Sequence, residues 1–266
     1  MSQYLPLAVK NVSITLENIL NAMAKQPSYK QEYFDRIMAL YRQQGIGDFL
    51  VSNSSELLFS KLTLGVQASI DFLTNADTGE PAASKITTFF DAVCCQDFPA
   101  MEKLAQLSPR KINSRIEYEE DYLYCRILMD VFGLRKNQED IQDLLEEFEA
   151  LHADNPDHRY TVLMALLEKD GDAFHEVLEF LIDAYKDHYV DGGDMYAGTQ
   201  DEAIILAHVS IEIIALVQLA RMQGIATYPE YALAPKTALA SCSVPEPPPG
   251  AWLHIDSRRS FSFQKP

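Results

Sequence analysis

Cysteine and histidine are the residues of this chain whose type and spacing come closest to a catalytic or metal-binding pattern. Cys94 and Cys95 are adjacent, so they cannot easily bond each other, and a nucleophilic cysteine needs a basic partner that lowers its pKa. The sequence places no such partner beside them. With Cys125 and Cys242 they form no CxxC pair, and we interpret all four as reduced residues of the core.

Histidine and aspartate come close in sequence at two places, which is the least that a metal site requires. His152 and His158 flank the acidic turn around Asp154, and Asp172 lies three residues before His175. A carboxylate-bridged metal pair in a helical bundle needs two Glu-x-x-His pairs, and the sequence does not supply two. We therefore predict no metal and no cofactor. No GxSxG, Walker-type, GxGxxG or HExxH motif is present, so we predict that the chain is not an enzyme.

The elements that would carry these residues follow a helical period along most of the chain. The 11 glycines are few for a turn-rich β protein, and Gly45 and Gly224 stand where two of the predicted helices end. The sequence predicts an all-α fold of antiparallel helical hairpins, packed as a helical bundle or a short solenoid-like array. The main predicted helices cover residues 12–24, 29–44, 55–75, 88–96, 99–107, 117–132, 138–151, 160–168, 173–189 and 203–223.

Two segments of the chain, residues 92–104 and 165–177, share a weak repeat. Each has the apolar end of a helix, then an aspartate (Asp97 or Asp170), then an alanine three positions later. This pattern is common in stacked helical hairpins. It indicates that helix pairs are the building unit of the fold.

The C-terminal residues differ in composition from the rest of the chain. They contain Pro245, the run Pro247-Pro-Pro249 and the single tryptophan, Trp252. A proline run of this kind is extended and cannot be helical. We predict one helical domain in residues 1–230 and an extended segment in residues 231–266. That segment either packs on the helical body through Trp252 or forms a mobile end.

Neither a secretory signal nor a membrane span is predicted. The N-terminus lacks a basic start followed by a long apolar run. The most apolar stretch, residues 203–219, carries His208, Ser210 and Glu212 in its middle, where polar groups are costly in lipid. This composition favours a buried helix of the core.

The negative charge of the chain is concentrated in its middle third. The formal net charge is −17, and residues 117–202 contain 24 acidic and 6 basic residues, whereas the flanking regions nearly cancel. Such a field repels nucleic acid and attracts basic partners. The alternative is that the acidic residues only solvate exposed helix faces.

The helix predicted for residues 138–151 is the clearest amphipathic segment within this acidic block. Its apolar stripe comprises Ile141, Leu144, Leu145, Phe148 and Leu151. Because that stripe would face the core, the acidic residues beside it would face outward. We predict that four of them bind a partner protein: Glu139, Asp143, Glu146 and Glu147.

Three segments carry a resemblance to a known family. They are residues 91–98 (DAVCCQDF), 117–129 (EYEEDYLYCRILM) and 224–233 (GIATYPEYAL), with AFHEVLEFLIDAY between the last two. Over roughly residues 85–235 the chain resembles the immunity protein 49 family of bacterial polymorphic toxin systems. The resemblance implies a mostly helical protein, encoded beside a toxin, that protects the producing cell by binding that toxin. It implies no catalytic residues.

From this resemblance we expect a protein of the bacterial cytoplasm that neutralises a cognate toxin by masking its active site or substrate surface. The expected toxin has a basic surface, as many nucleases among such toxins have, and neither nucleic acid nor a membrane is expected as a partner. A helical scaffold or adaptor for another protein is the alternative. A third reading is an enzyme that uses the cysteine pair or a histidine–carboxylate metal site. A toxin gene immediately beside this one would separate the first two.

Overall fold

The computed structural model describes residues 3–25, 31–75, 81–191 and 198–254. Within these ranges the chain is helical without a strand, and Tyr231 and Ala234 form one isolated bridge, so the all-α class is confirmed. The α-helices are α1 (Leu5–Lys25), α2 (Gln31–Ser52), α3 (Ser55–Asn75), α4 (Thr88–Cys94), α5 (Phe98–Leu107), α6 (Glu119–Leu128), α7 (Gln142–Asp154), α8 (His158–Glu168), α9 (Gly171–Lys186), α10 (Gln200–Leu206) and α11 (Ile211–Gln223).

Helix α2 continues past Gly45 to Ser52, so the predicted end at Gly45 is wrong. Gly45 and Gly47 lie where α1 and α3 pack closely on α2. A Cβ atom on Gly47 would lie 2.5 Å from Cγ2 of Val9, and one on Gly45 would lie 3.1 Å from the carbonyl oxygen of Leu58. These glycines therefore permit a close approach between helices and do not end one.

The hairpins α4–α5 and α8–α9 are joined by turns of the same design, as the sequence repeat predicts. Gln96 and Lys169 adopt left-handed backbone conformations, with φ of 55° and 59°. Asp97 and Asp170 follow them, and each carboxylate accepts a hydrogen bond of 3.0 Å from the backbone N–H three positions later. Each aspartate thereby satisfies one of the free N–H groups at the start of the second helix.

The predicted helix over residues 203–223 is in fact two helices, α10 and α11. Ser210 interrupts it, because its backbone N–H donates to the carbonyl of Leu233 at 2.9 Å while its hydroxyl caps α11 at Ile213. The stretch Gln200–Gln223 is apolar and long enough by composition to cross a membrane, but most of it is buried inside the protein. Helix α11 is enclosed by α4, α8 and α9, as a core helix is.

The C-terminal segment packs on the helical body up to residue 254. Trp252 is buried, and its indole N–H donates to Asp71 at 3.0 Å. Tyr41 donates its hydroxyl to the carbonyl of Trp252, and Gln67 donates to the carbonyl of Pro247 at 3.1 Å. Residues 255–266 of the predicted tail lie outside the described residues. The division into a domain of residues 1–230 and a following segment stays a prediction.

Gly133 is a position where an added methyl group should destabilise the protein. It ends a π-helical turn, Met129–Gly133, and a Cβ atom there would lie 2.7 Å from the Cβ of Ala105 and 3.0 Å from the carbonyl oxygen of Met101. Because helix α5 would have to shift, Gly133→Ala should lower the free energy of unfolding by about 1–3 kcal/mol. Chemical denaturation measures this change.

Gly171, the first residue of α9, is the matched control for this substitution. A Cβ atom there would meet only Cγ2 of Ile225, at the ordinary contact distance of 3.5 Å. Gly171→Ala should therefore be neutral or stabilise the protein by up to about 1 kcal/mol. Equal losses at the two positions would contradict the close packing described for Gly133.

Candidate partner-binding surface

The four acidic residues predicted to bind a partner lie on one solvent-exposed face. Glu139 belongs to a 3₁₀ turn, Glu139–Ile141, that leads into α7, and Asp143, Glu146 and Glu147 belong to α7 itself. All four side chains are exposed, whereas the residues of the stripe at positions 141, 145 and 148 are buried. The structure thus brings the four together, and their role in partner binding stays a prediction.

Local hydrogen bonds and an aromatic contact fix the start and the tilt of this helix. The Asn137 side chain accepts from the backbone N–H of Asp140 at 3.0 Å, and the Asp140 carboxylate accepts from the N–H of Asn137 at 3.2 Å. This reciprocal pair resembles a capping box. Phe148 meets Tyr160 of α8 edge to face, with the ring centroids 5.4 Å apart. The acidic face is therefore carried by an element that is held at both its start and its buried side.

Helix α6 adds a fifth carboxylate, Glu119, to the acidic face of α7. Partial burial and then a hydrogen bond with Glu119 raise the pKa of Glu147. Neighbouring carboxylates of like charge repel each other. A cation from a partner would relieve their repulsion. The sequence could not show this pairing, because 28 positions separate the two residues.

Helix α9 carries a second set of exposed acids, two helices further along the chain. Its outward carboxylates are Asp172, Glu176, Glu179 and Asp183. Two of the basic side chains nearby are already paired, and a third, Lys169 between α8 and α9, is exposed. Arg159 of α8 donates to Asp157 and Asp121, and Lys186 donates to Asp183 at 3.0 Å. Helices α7 and α9 therefore each present exposed negative charge, and the acids of α7 to α9 outnumber the basic side chains of the same helices.

Exposed aromatic rings accompany these acids. Phe180 of α9 is 50% exposed and lies parallel to the His158 ring, with the centroids 4.8 Å apart. Tyr228 is 57% exposed and stacks on His175 at 4.4 Å, and Tyr231 reaches Nδ1 of the same histidine at 3.3 Å. Large rings held in place by stacking suit anchoring in an interface, where tyrosine is enriched. Sequence reasoning missed these anchors, although Tyr228 lies in one of the segments that carry the family resemblance.

Two of the residues first considered for chemistry, His152 and Cys94, make structural contacts. His152 accepts the backbone N–H of Asp157 at 2.8 Å and stacks on Tyr160 at 4.6 Å. Cys94 is fully buried, and its thiol donates to the carbonyl of Ile211 at 3.3 Å. Burial raises the pKa of that thiol well above its usual range. Among the described residues no group of three or more His, Cys, Asp or Glu side chains could hold a metal ion.

Buried charges near these residues are likewise paired. Asp91 is almost completely buried, and burial raises its pKa, which the neighbouring Arg42 opposes with a 2.8 Å ion pair. Glu212 is partly buried and has no ion pair among the described residues, but its carboxylate accepts a hydrogen bond from the hydroxyl of Tyr124 at 2.9 Å. Pairing of this kind is what a buried charge requires to persist in a core. These contacts give the buried charged groups a role in stabilising the fold.

The fold is thus a helical one that carries acidic and aromatic side chains on its exposed face and ion-paired charges in its core. The description of the family model that matches the chain is immunity protein 49, and the match covers residues 48–238. The chain belongs to this family. The matched range contains helices α3 to α11, and therefore both acidic helices and Tyr228. No curated protein and no solved structure matches the chain.

Proposed function

We propose that this protein binds a cognate bacterial toxin and neutralises it by masking the toxin's active site or substrate surface. Its membership of the immunity protein 49 family supports this function. The observation that carries the proposal further is the set of exposed acidic side chains on α7 and α9, which outnumber the basic side chains of α7 to α9 in the described part of the chain. The proposed place of action is the bacterial cytoplasm, where a toxin that enters the cell or is made there would meet it.

The charge of this surface indicates what the toxin would look like. A nuclease binds phosphates through a basic surface, and an acidic protein face of complementary shape covers such a surface while competing with the nucleic acid. Charged residues around the contact speed the encounter, and a few buried aromatic anchors hold the complex. We therefore propose a toxin with a basic surface as the partner, with nucleases as the leading class.

A protection assay in cells tests the proposed function. The toxin encoded beside this gene is expressed from an inducible promoter, with and without the chain. Wild type should restore growth, and an immunity protein encoded with an unrelated toxin should not. Cell death in the presence of well-expressed, folded protein would contradict the proposal and would favour a scaffold or adaptor for another partner.

The aromatic anchors should govern how long the complex lasts. The double substitution Phe180→Ala and Tyr228→Ala should raise the dissociation rate of the toxin complex by at least about tenfold, because hot-spot aromatics each contribute about 2 kcal/mol or more. Surface plasmon resonance measures the rate. Leu7→Ala is the matched control, since Leu7 of α1 is 55% exposed but lies outside the family match. Equal dissociation of wild type and the double variant would place the anchors elsewhere.

A further inference from the structure

The loop between α5 and α6, residues 108–118, exposes three large apolar side chains. They are Ile112, Ile116 and Tyr118. Tyr118 is 74% exposed, the largest exposed fraction of any large hydrophobic side chain within the described ranges. Lys111 and Arg115 of the same loop are also exposed, and neither forms an ion pair within those ranges. The exposed side of this α5–α6 loop is therefore both apolar and positively charged, in a chain whose net charge is −17.

Hydrogen bonds to the helical body hold the backbone of the α5–α6 loop in place. Tyr122 of α6 donates its hydroxyl to the carbonyl of Arg110 at 2.8 Å. The buried carboxylate of Glu117 accepts the backbone N–H of Asn113 at 2.9 Å, and the backbone N–H and hydroxyl of Ser84 at 2.9 and 2.8 Å. The loop therefore cannot turn its exposed apolar side chains inward without breaking these bonds. A loop that is already ordered also loses little conformational freedom when it binds a partner.

The α5–α6 loop borders the helices that carry the acidic side chains. Tyr118 directly precedes Glu119, the first residue of α6, and α6 packs against both α7 and α8. Arg159 of α8 donates to Asp121 in the first turn of α6. The start of α6 is thus tied to the acidic helices. A partner that covers the acidic face of α7 would therefore also come close to the loop.

The charges in and around the α5–α6 loop favour one kind of partner over the others. Nucleic acid or an anionic membrane would meet the two cations, but the acidic helices beside the loop would repel either one. A symmetric dimer formed through the loop would set the cations of one copy against those of the other. A toxin bound to the adjoining acidic face meets neither obstacle. It needs only an apolar patch bordered by carboxylates at the matching position.

We propose that the α5–α6 loop is a second contact site for the toxin and that it binds an apolar patch bordered by carboxylates; this proposal rests on the proposed function. Ile112, Ile116 and Tyr118 supply the apolar contact, and Lys111 and Arg115 pair with the carboxylates at its border. The interface then contains a basic region directly beside an acidic one. A toxin docked the other way round would set like charges against each other, so the loop fixes the orientation of the toxin.

Reversing the two cations of the loop tests the proposal by the sign of the effect. Lys111→Glu with Arg115→Glu makes the chain more acidic, which strengthens its long-range attraction to a basic toxin. If the loop meets carboxylates, the same change sets like charges in contact, and the Kd of the toxin complex should rise at least about tenfold. Calorimetry with the toxin encoded beside the gene measures the Kd.

Lys10→Glu with Lys25→Glu is the matched control for this charge reversal. Both lysines are exposed on α1, outside the range of the family match, and the net charge changes by the same amount. The control variant should bind the toxin as tightly as wild type or more tightly. A Kd of the loop variant at or below that of the control would overturn the proposal.

Removing the apolar side chains tests the other half of the contact. Ile112→Ser, Ile116→Ser and Tyr118→Ser together should raise the dissociation rate of the complex at least about tenfold. Leu7→Ser with Ile14→Ser, which removes exposed apolar side chains of α1, should leave that rate unchanged. Both variants should keep the wild-type circular dichroism spectrum, since all five side chains are exposed. A folded loop variant that dissociates at the wild-type rate would contradict the proposal.

The wild-type protein separates a failure of this proposal from a failure of the proposed function. If wild type inhibits the toxin and both loop variants bind as tightly as wild type, the loop is not a contact site and the proposed function stands. If wild type neither binds nor inhibits the toxin, both fall together. Phosphatidylglycerol vesicles are a further probe. Vesicle binding that the charge reversal abolishes, with toxin affinity unchanged, would assign the loop to a membrane and refute the toxin contact.

Discussion

Replacing Asp130 by alanine is expected to destabilise the protein by about 3–5 kcal/mol, because it leaves a buried charge without its counter-ion. Asp130 is 2% exposed and receives three cations: Arg126 at 2.6 Å, Arg110 at 2.8 Å and Lys136 at 3.0 Å. Arg126 is itself almost completely buried, and burial lowers its pKa despite the carboxylate beside it. Without Asp130 that guanidinium would have to stay charged in the core or distort its surroundings.

Urea denaturation of the Asp130→Ala variant measures this loss. The exposed pair Asp183–Lys186 of α9 supplies the control, since its two side chains keep 71% and 41% of their exposure. Asp183→Ala should change the free energy of unfolding by less than about 1 kcal/mol, as exposed ion pairs do. Similar losses for the two variants would show that Asp130 is not the counter-ion on which the core depends.

Reversing the acidic face of α7 should produce the largest functional effect short of unfolding. We expect the quadruple variant Glu139→Lys, Asp143→Lys, Glu146→Lys and Glu147→Lys to associate with the toxin at least about tenfold more slowly at low salt. The difference should shrink as salt rises, because exposed charges are screened over about 10 Å at 0.1 M ionic strength. The fold should survive, since the four side chains are exposed and the buried stripe is unchanged. Stopped-flow fluorescence at two salt concentrations measures the rates.

A double variant outside the acidic block separates a local effect from a change in total charge. Glu56 at the start of α3 and Glu102 of α5 are exposed, and Glu56→Lys with Glu102→Lys removes half as much charge as the quadruple variant. If the α7 face has a local role, the double variant should lower the logarithm of the association rate by much less than half of the change that the quadruple variant causes. If each reversed charge lowered the logarithm of the association rate equally in the two variants, total net charge alone would account for the encounter. The α7 face would then have no specific role in binding.

Local patterns in the sequence were enough to predict the helices and the hairpin turns. The stripe of α7 and the capping aspartates Asp97 and Asp170 act within a few residues, so their spacing carries the information. The errors arose where distant segments meet. Helix α2 continues through Gly45 because α3 packs against that position, and α10 ends before Ser210 because a residue 23 positions away accepts its N–H.

For the candidate surfaces, too, local patterns could be predicted from the sequence and contacts between distant segments could not. The outward direction of the α7 acids could be predicted, because it follows from the helical period alone. The proximity of Glu119 to Glu147 could not, since it depends on how separate elements pack in space. The stacking of Tyr228 on His175 likewise joins residues 53 positions apart. Contacts between residues that are distant in sequence can therefore be identified only in the folded chain.

Titration of the purified protein with the toxin encoded beside its gene tests the central claim most directly. Calorimetry is combined with an assay of the toxin's own activity on the same mixtures. We expect a stoichiometric complex with a dissociation constant below about 100 nM, and toxin activity that falls in proportion to the complex formed. A folded protein that gives no complex at micromolar concentrations, or a complex in which the toxin stays fully active, would contradict the account.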